Sequence, residues 1–406
     1  MLRHRNLHLI CFFDNFTQNT DTAYMARHFL YGLILALFGA ALTATDASAC
    51  TSAIVSADMN PYGRPILWKH RDTSTTDNKV EFVASKPGEY SYVALFNAGD
   101  KALKEAWMGM NDAGFAVMNT ASYNIKNDKV PVSQMDREGI VMTEALRKCR
   151  TVDDFALLLD SLPRPMGVEA NFGVIDAFGN GAYFETNNDS YKRFDLKDSP
   201  NGVLVRTNYS HSGRPNEGFG FVREANACHL LAPYIENKSI TPEVFTEVLS
   251  RNFYHDMKGK DYSSGDERWV VDQDFIPRFK STATIAIEGC RPVKSVGEIT
   301  PEMIRKEYVM WTGLGYPPCA EIRGVCCDES GVDRDLRGVL PGGHAPLADK
   351  AKEMRSKVFP ISKGNGDKYI DMNTLFNKEG TGFVQILREV NKENYRKMRQ
   401  QRDGAE

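Results

Sequence analysis

The sequence lacks the short motifs by which several common enzyme classes are recognised. It contains no G-x-S-x-G elbow, no H-E-x-x-H segment and no G-x-x-x-x-G-K-[ST] loop. These absences argue against serine hydrolases of the elbow type, zinc peptidases and P-loop nucleotide-binding proteins. An excess of positive charge is missing too, since the net charge is -3 and the pI is about 6.3. We therefore expect neither nucleic acid nor an anionic membrane surface as a partner.

A hydrophobic run long enough to span a membrane is also missing. The one long apolar segment, Phe29–Leu42, is shorter than the roughly 20 residues that a spanning helix needs. The basic pair Arg27-His28 precedes it and Ala47-Ser48-Ala49 follows, which is the layout of a secretory signal peptide. We expect residues 1–49 to be a signal-peptide region, whose true start is Met25 unless Met1–Tyr24 is a genuine disordered extension. The mature chain is then exported, to the periplasm or to the extracellular space.

Cysteine and histidine are present without the spacing of a metal site. The eight cysteines include no paired C-x-x-C and the eight histidines are scattered, so a zinc site is not predicted. Buried thiols, or one bridge near Cys319–Cys327, are expected instead. We predict no metal and no organic cofactor.

Strand and helix patterns occur in separate blocks. Short β-type runs follow one another from Ala53 to Asn119, divided by turns rich in Gly, Pro and Asn. Helical periodicity follows in Ile140–Cys149 and in Val152–Leu162, which opens at a Thr151 cap. The later segments are strands at Phe172–Asp176, Ala182–Thr186, Val203–Asn208, Thr282–Glu288 and Tyr308–Gly313, and helices at Val222–Tyr234 and Pro242–Phe253. This order predicts an α+β fold with packed sheets and outer helices.

One domain accounts for most of the mature chain. The polar stretch Asp328–Pro346 is the candidate linker, and charged helical patterns follow it in Pro346–Phe359 and Gly380–Arg402. We therefore predict a catalytic domain over residues 50–340 and a helical C-terminal extension over residues 341–406.

The predicted cleavage makes Cys50 the first residue of the mature chain. Its thiol is a nucleophile, and its free α-amine, with an ordinary pKa of about 7.7–8.0, can accept the thiol proton. A different interpretation also fits this position, because a cysteine after a signal peptide is the acceptor in lipoproteins. Cys50 is thus either a catalytic nucleophile or a lipid anchor on a binding protein.

The residues after Cys50 resemble the opening of the N-terminal-nucleophile hydrolases. Cys50–Val55 and Gly63–Asp72 are similar to the first hairpin of the choloylglycine hydrolase and penicillin acyl-transferase group. The resemblance implies a four-layer αββα sandwich and assigns Asp72 to the aspartate that holds the cysteine's amine and thiol. Lys69 stands where the group carries arginine, and it keeps the charge that favours a thiolate but loses the bidentate fork.

The sequence departs from the group at two further positions, His70 and Gly220. His70 replaces the usual asparagine, and Arg71 supplies additional positive charge, so we assign Arg71 to substrate binding. The helix after Phe219 is similar to one that carries an active-site arginine in bile-salt hydrolases. Gly220 occupies that place here, which leaves Arg223 as the substitute and as a second substrate-binding residue.

Two asparagines complete the site that the resemblance implies. Trp107–Asn119 resembles the group's G-M-N-x-x-G-L hairpin and its following strand, so Asn119 is a ligand of the substrate carbonyl or the oxyanion. Val203–His211 resembles the strand ending in T-N, so Asn208 donates to the oxyanion. The catalytic set is therefore Cys50, Asp72, Asn208, Asn119 and Lys69.

These residues predict an exported N-terminal-cysteine amidohydrolase. It cleaves a linear, non-peptide amide of a small N-acyl compound through a thioester on Cys50, and Tyr123, Tyr262 and Trp269 are candidates for an acyl pocket. The alternatives are a lipoprotein lipidated at Cys50 that acts as a binding module, or a dipeptidase or acyltransferase of the same fold. Membrane association is expected only with lipidation, and homo-oligomerisation is left open.

Overall fold

The computed structural model describes residues 49–126 and 130–403, apart from the side chains of Val132 and Asp403. The signal-peptide prediction, except for Ala49, lies outside the described residues, as does Cys11. No helix among the described residues is both long and apolar enough to cross a bilayer.

The chain alternates between groups of strands and groups of helices. The strands are β1 (Thr51–Val55), β2 (Ile66–Asp72), β3 (Asn78–Val83), β4 (Tyr92–Asn97), β5 (Met108–Asn111), β6 (Ala116–Ala121), β7 (Ala170–Ile175), β8 (Gly181–Thr186), β9 (Tyr191–Asp195), β10 (Val203–Arg206), β11 (Tyr254–His255), β12 (Lys260–Asp261), β13 (Trp269–Val271), β14 (Ser281–Glu288), β15 (Val309–Leu314), β16 (Ile322–Val325), β17 (Ile361–Ser362) and β18 (Lys368–Asp371). The helices are α1 (Glu138–Lys148), α2 (Val152–Ser161), α3 (Phe221–Glu236), α4 (Pro301–Glu307), α5 (Pro346–Val358), α6 (Met372–Leu375) and α7 (Phe383–Asp403).

Two antiparallel sheets form the centre of the fold. One has the strand order β10-β1-β2-β14-β15-β16, and the other runs β3-β4-β5-β6-β7-β8-β9. The second sheet joins strands that are consecutive in sequence. The first sheet instead places β1 and β2 between β10 and β14, which come much later in the chain. This crossover assembles the candidate site from distant segments.

Three apolar clusters define the layers. Leu67 and Met118 belong to the cluster between the two sheets. Phe155 belongs to the cluster that packs α1 and α2 on the outer face of the seven-stranded sheet. Leu231 and Tyr395 belong to the cluster that packs α3 and α7 on the outer face of the six-stranded sheet. The predicted α+β class and its four-layer αββα sandwich are therefore confirmed.

Several local elements form for the reasons that the sequence suggests. The Thr151 hydroxyl accepts a hydrogen bond from Asp154 N at 3.0 Å, and the Asp154 carboxylate accepts from Thr151 N at 2.9 Å. This capping box starts α2 by satisfying two amide groups at the helix end. The turn between β5 and β6 contains Gly114 with φ +80°, a conformation that glycine adopts without strain.

The segment predicted as one helix over Pro242–Phe253 has a different form. It contains a π-helical turn, Val244–Val248, followed by the 3-10 turn Leu249–Arg251. The Thr246 hydroxyl donates to Pro242 O at 3.1 Å, and such back-bonding by threonine competes with regular helix geometry. Sequence periodicity does not distinguish these turns from an α-helix. Sequence periodicity also missed several short elements, among them β9, β16 and α4.

The C-terminal segment contains a strand pair as well as helices. β17 and β18 form a hairpin, and β18 pairs with β13 to complete a three-stranded sheet. Helix α7 contacts the six-stranded sheet, where Asn391 Oδ1 accepts from Ile322 N at 2.8 Å. The division of the chain at residue 340 stays a prediction.

The described cysteines are all free thiols, so a bridge near Cys319–Cys327 is not formed. The two thiols lie in different apolar clusters, since Cys319 packs beside Tyr316 and Cys327 packs between the two sheets. Buried thiols, the other expectation, are found at Cys149 and Cys290 as well.

Candidate active site

Cys50 directly precedes β1, the second strand of the six-stranded sheet. Thr51 pairs with His70 of β2, so the next position of the register sets Cys50 beside Arg71. Side chains alternate across a strand, and Cys50 therefore shares the face of Ile54, which points toward the second sheet. The residue is 3% exposed and its Sγ lies 3.9 Å from the backbone oxygen of Asp72.

The Asp72 carboxylate is held by two residues that precede or open β14. Arg278 donates to Asp72 Oδ2 from Nη2 at 2.6 Å and from Nε at 3.1 Å. Ser281 Oγ donates to Asp72 Oδ1 at 2.7 Å. Arg278 Nη2 also donates to Ala49 O at 3.3 Å, and one guanidinium thus joins the carboxylate to the residue before the cysteine.

Asn208 reaches Cys50 from the other side of β1. Ser52 pairs with Arg206 of β10, and two further positions of this register bring Asn208 beside Cys50. Arg223 of α3 links them, because Nη1 donates to Cys50 O at 2.5 Å and Nη2 donates to Asn208 Oδ1 at 2.8 Å. The Asn208 amide nitrogen donates to Ala121 O at 2.9 Å. Its orientation is therefore determined at both ends.

Lys69 and Asn119 contact each other on the face of β2 that points to the second sheet. Lys69 Nζ donates to Asn119 Oδ1 at 2.8 Å and to Trp107 O at 2.9 Å. Burial lowers the pKa of Lys69 to about 8, while the proximity of Cys50 acts in the opposite direction. A positive charge is thus held in the cysteine's surroundings, but its donors contact protein oxygens.

The two arginines assigned to substrate binding both contact protein groups. Arg71 donates to Asn78 Oδ1 and, at 2.9 Å, to Asn97 Oδ1, and its guanidinium lies 5.1 Å from the centre of the Trp107 ring. Arg223 is 1% exposed. Their role toward substrate stays a prediction, whereas the structure gives both a role in positioning neighbouring side chains.

His70 is enclosed between β14 and the 3-10 turn Leu249–Arg251. Its Nδ1 lies 3.1 Å from Ser250 Oγ, its Nε2 lies 2.8 Å from Ser281 Oγ and 3.6 Å from Asp72 Oδ1. Burial lowers the pKa of His70 to about 4; Asp72 opposes this shift, and Arg278 adds to it. The imidazole is therefore neutral at physiological pH.

This lowered pKa predicts a pH-dependent stability. Between about pH 4 and 6.5 the unfolded chain binds a proton at residue 70 that the folded chain does not bind, so the free energy of unfolding rises with pH through this window. A shift of this size corresponds to at most about 3 kcal/mol. Urea denaturation of wild type and His70→Gln at several pH values measures it, and the variant should show a flatter dependence. Parallel curves for the two proteins would contradict the assignment.

An aromatic rim lies next to Asn208. Phe219 and Asn208 form an isolated antiparallel bridge, and the Phe219 ring, 56% exposed, contacts Tyr123 edge-on with 5.5 Å between ring centres. Tyr123 was predicted to line the acyl pocket, and Cys50 lies close enough to help raise its pKa, although burial is the larger cause. Of the other two candidates, Tyr262 packs on Phe275 and Trp269 belongs to β13.

A second polar cluster among the described residues has ligand types that suit a metal. Asp77, His344 and Asp349 place one ligand atom each within 4.8 Å of one another. Lys352 contacts both carboxylates, with Nζ at 2.7 Å from Asp349 Oδ1. The ammonium group supplies positive charge there, so the four side chains form an ion-pair network.

Sequence reasoning missed Arg278, Ser281 and Ser250. No local motif surrounds them, and their relation to Asp72 follows from the pairing of β14 with β2, for example Ser281 with Asp72. The only sequence signal was the position of Arg278 just before a predicted strand.

Comparison with known proteins gives one match in sequence. Residues 61–249, a little under half of the chain, match the family model of acyl-coenzyme A:6-aminopenicillanic acid acyl-transferase. The matched range includes Lys69, Asp72, Asn119, Asn208 and Arg223. No curated protein sequence matches the chain.

Three solved structures are also similar to this chain, with low sequence identity and low TM-scores. A Caenorhabditis elegans N-acylethanolamine-hydrolyzing acid amidase ortholog has 12% identity and a TM-score of 0.38, covering 62% of this chain and 97% of its own. A variant of the Clostridium perfringens conjugated bile acid hydrolase has 12% identity and a TM-score of 0.39, and the match covers 68% of this chain and 92% of that protein. Penicillin V acylase from Agrobacterium tumefaciens has 10% identity and a TM-score of 0.33, and the match covers 68% of this chain and 86% of that protein. Because these TM-scores are low, the assignment of the αββα layers depends on the packing of sheets and helices within this chain.

Proposed function

We propose that the chain is an exported amide hydrolase whose nucleophile is Cys50, on the premise that residues 61–249 match the family model of acyl-coenzyme A:6-aminopenicillanic acid acyl-transferase. The family match supports an enzyme that acts on the C–N bonds of linear amides. The proposal adds the nucleophile, the free N-terminus and export.

The convergence of Cys50, Asp72 and Asn208 carries this proposal. The three residues precede β1, end β2 and follow β10, and two guanidinium groups connect them, that of Arg223 buried and that of Arg278 partly buried. A lipid anchor needs none of these contacts. A nucleophile needs a base, an oxyanion donor and groups that hold both in place.

The chemistry requires that Ala49 be removed. The α-amine of Cys50 then accepts the thiol proton, and the thiolate attacks the amide carbonyl carbon. The tetrahedral intermediate collapses, its C–N bond breaks, and the α-ammonium returns the proton to the departing amine. Water, deprotonated by the same amine, hydrolyses the thioester and regenerates Cys50. If an amine attacks in place of water, the product is a new amide.

Asn208 and Asn119 are the proposed oxyanion donors. Each side chain has its Oδ1 bound by a cation, Arg223 for Asn208 and Lys69 for Asn119. The amide carries its oxygen and nitrogen on opposite sides, so this binding directs each Nδ2 away from the cation. Donors that are oriented before the reaction stabilise the developing charge without reorganisation.

We expect Asn208→Ala to lower kcat roughly 10²- to 10³-fold, as the loss of one oriented oxyanion donor does elsewhere. KM should change little, because the lost contact is made chiefly in the transition state. Steady-state kinetics on a hydrolysed amide measures both. Asn180→Ala, in the β7–β8 turn, is the control and should keep wild-type kinetics. An unchanged kcat for Asn208→Ala would remove Asn208 from the mechanism.

The rim of Tyr123 and Phe219 indicates the acyl group of the substrate. The Phe219 ring is exposed, and the Phe219 backbone forms a β-bridge with Asn208, the proposed oxyanion donor. The ring therefore offers an apolar surface beside the scissile carbonyl. Aromatic faces bind flat or extended apolar groups well. We therefore propose N-acyl amides with an aryl or alkyl acyl group as substrates.

Two measurements test the proposed function. Intact mass and N-terminal sequencing of protein from an exporting host should show an unmodified Cys50 as the first residue, recovered in the periplasm or medium. That protein should hydrolyse 4-nitroanilides of phenylacetic or hexanoic acid faster than the acetic acid derivative. A diacylglycerol mass on Cys50 would support the anchored binding protein, and cleavage of dipeptides alone would support the peptidase. Added amines that capture the acyl group would indicate acyl transfer.

A further inference from the structure

A chain of buried hydrogen bonds ends on the Asp72 carboxylate. Its members are Trp68, Thr284, Ser250, His70 and Ser281. Trp68 Nε1 lies 3.1 Å from Thr284 Oγ1, and Thr284 Oγ1 lies 2.8 Å from Ser250 Oγ. The distances from His70 to Ser250 and to Ser281 are 3.1 and 2.8 Å. All five side chains are at most 1% exposed, so water does not compete for these bonds.

The direction of every bond in this chain is determined by its two ends. Ser281 Oγ accepts from Arg278 N at 2.9 Å and donates to Asp72 Oδ1 at 2.7 Å. A hydroxyl has one proton and two lone pairs, so the remaining lone pair of Ser281 must accept from His70 Nε2–H. The other nitrogen, Nδ1, is then an acceptor, and the neutral imidazole carries its proton on Nε2.

The same reasoning extends to the far end of the chain. Because His70 Nδ1 is an acceptor, the Ser250 hydroxyl donates to it and accepts from Thr284. Thr284 in turn accepts from Trp68 Nε1–H, which can only donate. Each donor therefore points toward Asp72, and bonds aligned in one direction polarise one another.

We propose that His70 and Ser281 are positioning residues that hold Asp72 for its contact with the cysteine's amine, through this one-directional chain. The inference rests on the proposed function of Asp72. It explains why this protein tolerates histidine at position 70, where the hydrolases that it resembles carry asparagine. The 3-10 turn Leu249–Arg251 supplies Ser250 as the partner of the second ring nitrogen. His70 itself contacts neither substrate nor the thiol in this mechanism.

Substitutions along this series of hydrogen bonds separate a positioning role from a packing role. Their sites are similarly buried, but they lie at different distances along the series from Asp72. The loss of a hydrogen bond to a charged group corresponds to a roughly 10- to 100-fold fall in kcat. We expect a fall of this size for Ser281→Ala and for His70→Phe, with KM nearly unchanged. His70→Gln places an amide donor near the position of Nε2, and it should recover most of the activity. Ser250→Ala and Thr284→Val, further from Asp72, should retain kcat to within about threefold.

Two readouts are independent of the substrate. Long-range ¹H–¹⁵N spectra, with His70→Gln used for assignment, should show His70 as the Nε2–H tautomer. Iodoacetamide alkylation, followed by peptide mass mapping, should be slowed at Cys50 in Ser281→Ala and His70→Phe but unchanged at Cys228, which is exposed. Thermal unfolding records the packing cost of each variant.

The outcomes distinguish this inference from the proposed function. If no amide is hydrolysed but the tautomer and the graded alkylation are found, the positioning chain stands and the substrate class is wrong. If His70 carries its proton on Nδ1, or if Thr284→Val slows Cys50 alkylation as much as Ser281→Ala, the positioning role is overturned.

Discussion

Replacing Cys50 with alanine is expected to lower kcat by roughly 10⁴-fold or more, as the loss of a nucleophile does in enzymes that form an acyl intermediate. The remaining α-amine could still activate water, but the covalent route would be closed. The free energy of unfolding should change little, because only one sulfur atom is removed. Kinetics together with urea denaturation of the same preparation measures both quantities.

Two matched variants make the Cys50 result specific. Cys228→Ala removes an exposed thiol from α3 and should leave kcat unchanged. Cys50→Ser keeps the α-amine and a hydroxyl nucleophile, and it should show a thousandth of the wild-type rate or less, on the order of the penalty for a poorly activated nucleophile. Retention of most activity by Cys50→Ala would refute the mechanism.

The second large effect is expected at the pair of Asp72 and Arg278. Asp72→Asn keeps the shape of the side chain but removes the charge that Arg278 contacts at 2.6 Å. An uncompensated, largely buried guanidinium destabilises a fold by about 3 kcal/mol. Because the proposed mechanism also requires this carboxylate to hold the cysteine's amine, we expect kcat to fall roughly 10³-fold, which corresponds to about 4 kcal/mol.

A double-mutant cycle with Arg278→Gln separates the two consequences. Removing both charges should restore much of the lost stability, since neither group is then buried without its partner. It should not restore kcat, because the amine still lacks the carboxylate. Equal rescue of stability and activity would mean that the pair has only a structural role.

The sequence predicted more of the fold than of the contacts within the site. Elements such as β8, predicted at Ala182–Thr186, and α2, predicted at Val152–Leu162, have local signals, and their bounds differ from the prediction by one residue. Asp72 and Asn208 could be assigned because Gly63–Asp72 and Val203–His211 resemble segments of the N-terminal-nucleophile hydrolases. Arg278 and Ser281 could not, because their position depends on β14 pairing with β2, and long-range strand order leaves no local pattern.

The tight turns after Val244 illustrate the same limit. An apolar spacing near 3.6 residues indicates a helix, but it does not show where a π-helical turn passes into a 3-10 turn. That passage sets the position of Ser250 and hence one of the two partners of His70. The role of His70 could be derived only after both turns and both strands were known.

The hairpin of β17 and β18 bears on how such a protein can be labelled. If the amine of residue 50 must be free, no affinity tag or fluorescent fusion can remain at its N-terminal side. The turn between β17 and β18 is exposed, and added Cβ atoms at Gly364 and Gly366 would meet nothing within 4 Å. Exposed hairpin tips tolerate insertions well. A short epitope placed there would allow capture and imaging of the enzyme while the nucleophile keeps its open terminus.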